Sequence, residues 1–253
     1  MKSIPLATLT ATSALLISQG ASAALYSTTK VEALYGWDYE DRADAGFGID
    51  NQRHAIFTIA NASGWTYGDS YFFADFTNID RGTEDEQDYG STHAEWNLRG
   101  NIGKVLGQNL SFGPVTNLYL SGQLDFDRNS SVRKTTHMVG LGYDIEVPGF
   151  AFFKVFTMYR DDDSDAADGT SEQLTLAWNS PFTIGDAKFS FEGFLDYTTE
   201  EGDLEEQLLT QPQLMWHAND HIALGLEYQY WHNKFGLDGT DESLPQAIVR
   251  WTF

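Results

Sequence analysis

The sequence contains no cysteine, few prolines and few positive charges. Its 253 residues include 6 prolines, and 15 Lys and Arg stand against 37 Asp and Glu, a net charge of −22. Without cysteine there is no disulfide framework and no Cys-ligated zinc or iron–sulfur site. Without an excess of basic residues the chain lacks the surface that binds nucleic-acid phosphates. We therefore expect no nucleic-acid partner, no metal site and no cofactor.

Long hydrophobic runs are absent too, so no segment predicts a transmembrane helix. The N-terminal segment carries one charge, Lys2, followed by an apolar stretch from Ile4 to Ile17 and the small residues Ala21-Ser22-Ala23. This order is typical of a secretory signal peptide. We predict a signal peptide over residues 1–23 and one mature domain over 24–253, with a net charge of 14 − 37 = −23.

Instead of long hydrophobic runs, the mature chain shows alternating apolar and polar residues. Twelve segments alternate with a period of two, and most contain about ten residues, the length that a tilted membrane strand needs (~9–11). In the last segment Val249, Trp251 and Phe253 alternate with Arg250 and Thr252. The predicted strands are residues 30–39, 52–62, 69–79, 92–102, 115–126, 134–146, 149–160, 171–180, 187–198, 207–217, 220–232 and 244–253.

The connections between these segments alternate between short and long. The short ones are 63–68, 147–148, 181–186 and 218–219, with 103–114 as a long exception. The long ones are 40–50, 80–91, 127–133, 161–170, 199–206 and 233–243. The long set holds 23 acidic and 5 basic residues (5 − 23 = −18), which leaves only −5 for the rest of the mature chain.

This pattern predicts an all-β fold, a twelve-stranded antiparallel transmembrane β-barrel with short periplasmic turns and long acidic extracellular loops. An even number of strands places both termini on the periplasmic side, in the outer membrane of a Gram-negative bacterium. Because a closed barrel has no free strand edge, we expect a monomer. A soluble exported β-sandwich or barrel is the alternative, since it would also show alternation.

In a barrel of this kind the polar side of each strand faces a wet lumen and the apolar side faces lipid. Arg53 and Glu172 fall on the apolar side, near loop ends where they can reach water. Further inward aromatic residues would be Tyr71, Phe152 and Trp231. The lumen residues that we predict to contact solute are Asp38, His54, Phe73, Asp75, Glu95, Arg99, Tyr119, Gln123, Asp125, Lys154, Phe156, Glu192, Phe194, Asp196, Glu227 and Arg250. Because the loops carry most of the negative charge, we expect a nearly balanced lumen wall that suits neutral polar solutes.

Several short motifs resemble a known family, the Tsx-type nucleoside channels and their OmpK relatives. They occur in the family's order: Leu110-Ser111-Phe112-Gly113-Pro114 before a strand with Asn117 and Tyr119, then Val139-Gly140-Leu141-Gly142-Tyr143-Asp144-Ile145, Tyr230-Trp231-His232 and the terminal Trp251-Thr252-Phe253. The resemblance implies a twelve-stranded monomeric outer-membrane channel for passive, selective diffusion of nucleosides. It also implies that surface loops can serve as phage receptors. The expected partners are outer-membrane lipid, lipopolysaccharide, a nucleoside-like solute and the barrel assembly machinery, which would read the terminal Phe253.

Other functions remain open from the residues alone. A channel for an oligosaccharide or an aromatic compound, and a phage or adhesion receptor, share the same fold. A barrel lipid hydrolase would need Ser and His near a rim, and its candidates are His137 and His232 with Ser130 or Ser243. No motif joins these four residues, so we predict no enzymatic activity. The run Asp161-Asp162-Asp163 resembles the start of a calcium loop but lacks that loop's glycine and distant glutamate.

Overall fold

The computed structural model describes residues 24–39, 52–77, 90–128, 133–163 and 169–253, and these form one closed antiparallel β-barrel. The predicted signal peptide, 1–23, and parts of four acidic loops lie outside the described residues. Within the described residues, no helix is long and apolar enough to cross a membrane. The twelve strands are Tyr26–Tyr39 (β1), Gln52–Trp65 (β2), Gly68–Thr77 (β3), Ser91–Asn101 (β4), Val115–Arg128 (β5), Arg133–Ile145 (β6), Phe152–Asp163 (β7), Gly169–Ile184 (β8), Ala187–Thr198 (β9), Gln207–Thr210 with Gln213–His217 (β10), Ile222–His232 (β11) and Glu242–Thr252 (β12).

The barrel closes between its first and last strands. Each strand pairs with its neighbours in the chain, and β1 pairs with β12 from Lys30↔Thr252 to Gly36↔Gln246. Both segments of β10 pair with β9 and with β11, so they are two halves of one barrel strand interrupted at residues 211–212. The predicted all-β class, strand number and antiparallel order are therefore confirmed.

Short and long connections lie at opposite ends of the barrel. The short-turn end contains the residues between β2 and β3, β4 and β5, β6 and β7, β8 and β9, and β10 and β11, together with both ends of the described chain. The longest of these connections begins with a short helix, Ile102–Leu106 (α1), capped by the Asn101 side chain and ended by Gly107 in the left-handed conformation. The sequence analysis predicted a long connection here but not this helical turn.

The two faces of the barrel wall are those of a membrane barrel. Large apolar side chains are exposed on the outside, among them Trp96, Leu120, Leu226 and Val249, whereas many polar side chains are buried inside. Arg53 and Glu172 are exposed on the outer face as expected. The outward apolar surface is therefore the belt that would contact lipid.

Strand β8 is longer than predicted, because the sequence analysis placed a turn at Pro181. Strand β7 begins at Phe152, which pairs with Asn179, so β8 has one neighbour beyond that point. A proline is tolerated on such an edge because its missing N–H removes no hydrogen bond on the open side. The strand therefore continues to Ile184 and turns only at residues 185–186.

The interruption of β10 is accommodated by Gly193 in β9. Gly193 has φ 149°, and a Cβ at this position would lie 2.4 Å from the carbonyl oxygen of Gln211. We expect Gly193→Ala to destabilise the barrel by about 1–3 kcal/mol, because both the backbone conformation and the contact become strained. The measurement is the temperature at which the heat-modifiable band unfolds on a denaturing gel. Gly100→Ala in β4, whose Cβ would meet no atom within 4 Å, is the control, and an unchanged temperature for Gly193→Ala would refute this explanation.

Candidate functional site

The lumen is the candidate site, and all but one of the sixteen predicted lumen residues lie on its wall. The strand register shows why. Phe73 pairs with Glu95, and Glu95 pairs with Asp125, so three neighbouring strands direct these side chains to the same face. The same parity continues around the barrel through Phe156, which lies inside and is buried.

Asp38 is the exception, and its predicted inward position is wrong. Strand β1 has a bulge between Trp37, which pairs with Arg53, and Tyr39, while Asp38 itself has φ 69° and is exposed. Tyr39 takes the inward position, where its buried hydroxyl donates to Gln246 Oε1 at 2.5 Å. The prediction assumed that alternation continues without interruption to the end of the strand, and the extra residue of a bulge breaks that rule.

One group of charged residues is organised around Arg99 in β4, whose surface is 2% exposed. Its Nε and Nη2 donate to the two carboxylate oxygens of Asp69 at 2.8 and 2.5 Å, and its Nη1 donates to Asp144 at 2.9 Å. The guanidinium lies 4.0 Å from the ring centre of Tyr119, whose hydroxyl donates to Asp144 at 2.7 Å. Lys154 Nζ comes within 3.9 Å of Asp69. These five residues, the Arg99 cluster, connect β3 with β7 and contain two positive and two negative charges.

A second group is organised around Arg250 in β12. Its Nε donates to Glu32 in β1 and its Nη1 donates to Glu192 in β9, while its Nη2 donates to Gln213 Oε1 at 2.6 Å. These four residues, the Arg250 cluster, connect β9 with β1 through β10 and β12. A buried arginine with a carboxylate on each side is held in a fixed geometry, because its planar fork supplies several donors at once.

Five inward carboxylates have no lysine or arginine within ion-pair distance among the described residues. They accept hydrogen bonds from hydroxyl, amide or imidazole groups instead. We call them the open carboxylates, and they are Asp75, Glu95, Asp125, Asp196 and Glu227.

The hydrogen bonds of the open carboxylates fix them to the wall. Gln123 Nε2 donates to Glu95 at 3.1 Å and to Asp125 at 2.9 Å. On the other side of the lumen, Gln213 and Gln246 donate to Glu227 at 2.6 and 2.9 Å. Each inward arginine already has a carboxylate partner. The negative charge that no arginine pairs with therefore lies at the open carboxylates, whereas the sequence analysis expected a nearly balanced wall.

Three inward rings lie beside these carboxylates on β3 and β4. The ring centres of Tyr71 and Phe73 are 6.1 Å apart, and those of Phe73 and His93 are 5.6 Å apart. Tyr71 faces the lumen and is 46% exposed, so its ring is accessible from the lumen. We call Tyr71, Phe73 and His93 the aromatic row. His93 also bonds Glu95 at 3.1 Å and Asp127 at 2.7 Å.

The sequence analysis missed three residues that these clusters use. Asp69, Asp144 and Glu32 lie on the polar side of their strands, so alternation applied through the whole strand, including its ends, would have found them. Tyr39 is different, because no pattern in the sequence marks the bulge that turns it inward.

The barrel also holds a cavity of about 540 Å³ at the short-turn end. The Arg99 cluster contributes to its wall, together with Trp65, Lys104 and Phe150. At the opposite end, carboxylate oxygens of Glu200, Glu205 and Glu206 lie within 4.8 Å of one another. These acidic side chains belong to a surface loop, where such charges are commonly just solvated.

The residues considered for catalysis are not brought together. His137 is exposed on the outer face, and Ser130 lies outside the described residues. His232 Nδ1 pairs with Asp241 at 2.7 Å, whereas Ser243 Oγ is bonded to the hydroxyl of Tyr228 at 2.5 Å. The described residues therefore show no serine positioned against either histidine.

Comparison with known proteins agrees with this geometry. The family model described as "Nucleoside-specific channel-forming protein, Tsx" matches residues 37–252. The chain belongs to the Tsx family. The sequence match confirms the predicted family, and the fold confirms the predicted outer-membrane β-barrel. Together they indicate a channel rather than an enzyme.

Two relatives of the Tsx-family chain are named Outer membrane protein OmpK. One, from Vibrio parahaemolyticus, is 26% identical over 148 residues, 55% of this chain and 54% of that protein. The other, from Vibrio parahaemolyticus serotype O3:K6, is 24% identical over 188 residues, 68% of each chain. The chain thus spans about half the length of the first relative. Among solved structures the NanC porin has a TM-score of 0.51 at 12% identity, covering 88% of this chain and 98% of the porin, a likeness of fold alone.

Proposed function

We propose that this Tsx-family channel lets nucleosides diffuse passively across the outer membrane. The observation that carries the proposal is the aromatic row standing beside the open carboxylates. The name of the matched family, a nucleoside-specific channel, supports the same solute class.

The chemistry of a nucleoside matches both parts of this wall. Its base is flat and stacks on aromatic rings, an interaction of about 1–3 kcal/mol per base. Its ribose hydroxyls and exocyclic amines are donors, and Asp75 and Glu95 are acceptors next to the rings. Each of these carboxylates is anchored by a neighbour, Thr58 at 2.5 Å for Asp75 and Gln123 at 3.1 Å for Glu95. A solute can therefore bind to these two carboxylates without first displacing a lysine or an arginine.

Conduction also requires that the solute can leave. Tyr71 offers an exposed ring, while Phe156 and Phe194 lie inward on other strands as further apolar contacts. Several weak contacts spaced along the wall permit stepwise movement, whereas one deep pocket would retain the solute.

We further propose that the short-turn end, with both termini, faces the periplasm and that the long acidic loops face outward. The support is the segregation of short and long connections, which is the common arrangement in bacterial barrels. Phe253 is 72% exposed and follows Trp251 on the outer face, which suits recognition by the barrel assembly machinery. The predicted signal peptide over 1–23 and the monomeric state belong to the same proposal, as does contact with lipopolysaccharide.

The decisive experiment compares solute entry into liposomes that contain the protein. We expect thymidine or adenosine to enter faster than a neutral sugar of equal size, and we expect nucleosides to block ion current in planar bilayers. Equal rates for nucleoside and sugar would refute the nucleoside proposal while leaving the channel intact.

Substitution of the aromatic row tests the binding surface directly. Tyr71→Ala should raise the half-blocking nucleoside concentration by about tenfold, because the stacking contact of about 1–3 kcal/mol is lost. The matched control is Phe72→Ala, which removes the next ring of β3 but on the outer face. A similar change in both variants would show that the effect is not due to contact with solute.

A further inference from the structure

We propose that the Arg99 cluster and the Arg250 cluster together form the constriction of the channel, a flat slot that sets its size limit. This inference rests on the barrel being a channel and does not depend on which solute it carries.

Each cluster reaches across a wide part of the wall. Strands β3 and β7 are separated by three strands, yet Lys154 of β7 comes within 3.9 Å of Asp69 of β3. Strands β9 and β1 are likewise separated by three strands, and Arg250 bonds Glu192 of one and Glu32 of the other. Contacts between such distant strands require side chains that extend into the lumen rather than lie along the wall.

The two clusters take up opposite sides of the lumen. One covers β3 to β7 and the other covers β9 to β1, so only β2 and β8 lie outside both. The inward residues of these two strands beside the clusters are small or of medium size. On β2 they are Thr58, which pairs with Glu32, and Ala60, which pairs with Phe73. On β8 they are Ala177, which pairs with Lys154, and Asn179, which pairs with Glu192. The space that remains is a slot between the clusters, with Ala60 at one edge and Ala177 at the other.

The Arg99 cluster is built to stay in place. Arg99 is nearly fully buried and has carboxylates on two sides with a tyrosine ring beneath its guanidinium. A Cβ on Gly142 would lie 3.3 Å from Arg99 Cδ, so the absence of a side chain at this position gives the arginine its room. The cavity at the short-turn end is lined by this cluster, so the channel is wide again on that side.

A slot of this kind selects by shape. Flat solutes pass between the clusters edge-on, whereas bulky solutes of the same mass do not. Because the Arg99 cluster carries balanced charge, it narrows the channel without creating a barrier to neutral molecules.

The test uses potassium chloride conductance in planar bilayers and the entry of neutral oligosaccharides of increasing size into liposomes. The main variant is Arg99→Ala combined with Asp69→Asn and Asp144→Asn, which removes the arginine together with both of its carboxylate partners and leaves the partly exposed Lys154 as the one charge of the cluster. We expect its single-channel conductance to rise by about twofold or more and its sugar size limit to increase, since both depend on pore diameter. Ala177→Phe, which fills one edge of the slot, should lower both quantities.

Two controls separate a constriction from a general disturbance of the barrel. Arg53→Ala removes an arginine from the outer face, and Ala247→Phe adds a ring to the outer face, so both should keep native conductance. Native conductance and an unchanged size limit in the folded triple variant would overturn the proposal, and so would an unaffected Ala177→Phe. Because the probes are salt and sugars, a failure of nucleoside selectivity would not affect this result.

Discussion

A nucleoside 5′-monophosphate is expected to cross membranes containing this protein at least about tenfold more slowly than the matching nucleoside, because lumen charges of one sign set a barrier to ions of that sign. The physical reason is the set of open carboxylates. Asp75, Glu95 and Asp125 lie next to the aromatic row on β3, β4 and β5 and have no lysine or arginine partner among the described residues. A phosphate entering this part of the lumen meets like charge, whereas the uncharged ribose meets hydrogen-bond acceptors.

The measurement is the ratio of entry rates for thymidine and thymidine 5′-monophosphate into liposomes at low salt. Low salt matters because the screening length is about 10 Å at 0.1 M and shorter at higher concentrations. The same field predicts a preference for cations over anions in the reversal potential. Lowering the pH through the range in which carboxylates protonate should reduce this preference.

Substitutions assign the effect to the open carboxylates. Glu95→Gln with Asp125→Asn keeps the size of both side chains and removes two charges, so nucleotide exclusion and cation preference should both weaken. The control is Glu172→Gln, which removes one charge from the outer face of β8. If the monophosphate enters native liposomes as fast as the nucleoside, the open carboxylates do not act as an electrostatic filter.

The fold could be predicted from the sequence because the membrane imposes the same rule on every strand. Alternation, strand length and the sequence of short and long connections all follow from a wall with lipid outside and water inside. The predictions that were wrong concern places where a local feature overrides that rule. Asp38 does not face the lumen because β1 has a bulge, and no turn forms at Pro181 because β8 has an open edge there.

The candidate site could be predicted only as a set of inward residues. Alternation showed which side chains face the lumen, including Arg99, Glu192 and Arg250. It could not show which charges pair, because the pairs join strands far apart in the chain, such as Glu32 and Arg250. The sum of charges in the strands therefore suggested a balanced wall, whereas the inward arginines pair with other carboxylates and leave five inward carboxylates with no lysine or arginine partner among the described residues.

The stability of the barrel should depend strongly on Arg250. Its guanidinium lies between Glu32 and Glu192, and all three side chains are largely buried. Arg250→Ala leaves two buried carboxylates without the cation that is hydrogen-bonded to both, and removing one partner of such a buried pair costs about 3–5 kcal/mol. We expect this loss in denaturant-induced unfolding of the protein in detergent micelles or lipid vesicles.

An ion pair on the surface is the control that tests whether burial causes the loss of stability in Arg250→Ala. Lys188 Nζ lies 3.7 Å from Asp220, and the two side chains are 70% and 91% exposed. Water screens such a pair and solvates each charge when the other is removed. Lys188→Ala should therefore leave the unfolding transition close to that of the native protein, although it removes the same formal charge as Arg250→Ala.

A rescue experiment separates unpaired charge from lost packing. Replacing Glu32 and Glu192 by glutamine in the Arg250→Ala variant removes both unpaired buried charges. The new amides can still form hydrogen bonds with Gln213 and Asn179 on the same part of the wall. If buried charge is the cause, the triple variant should regain most of the lost stability, since replacing a whole buried ion network is often close to neutral. If the triple variant unfolds as early as Arg250→Ala, the arginine stabilises the barrel by filling space between β9 and β1. Its removal would then enlarge the lumen for a steric reason rather than through repulsion between its former partners.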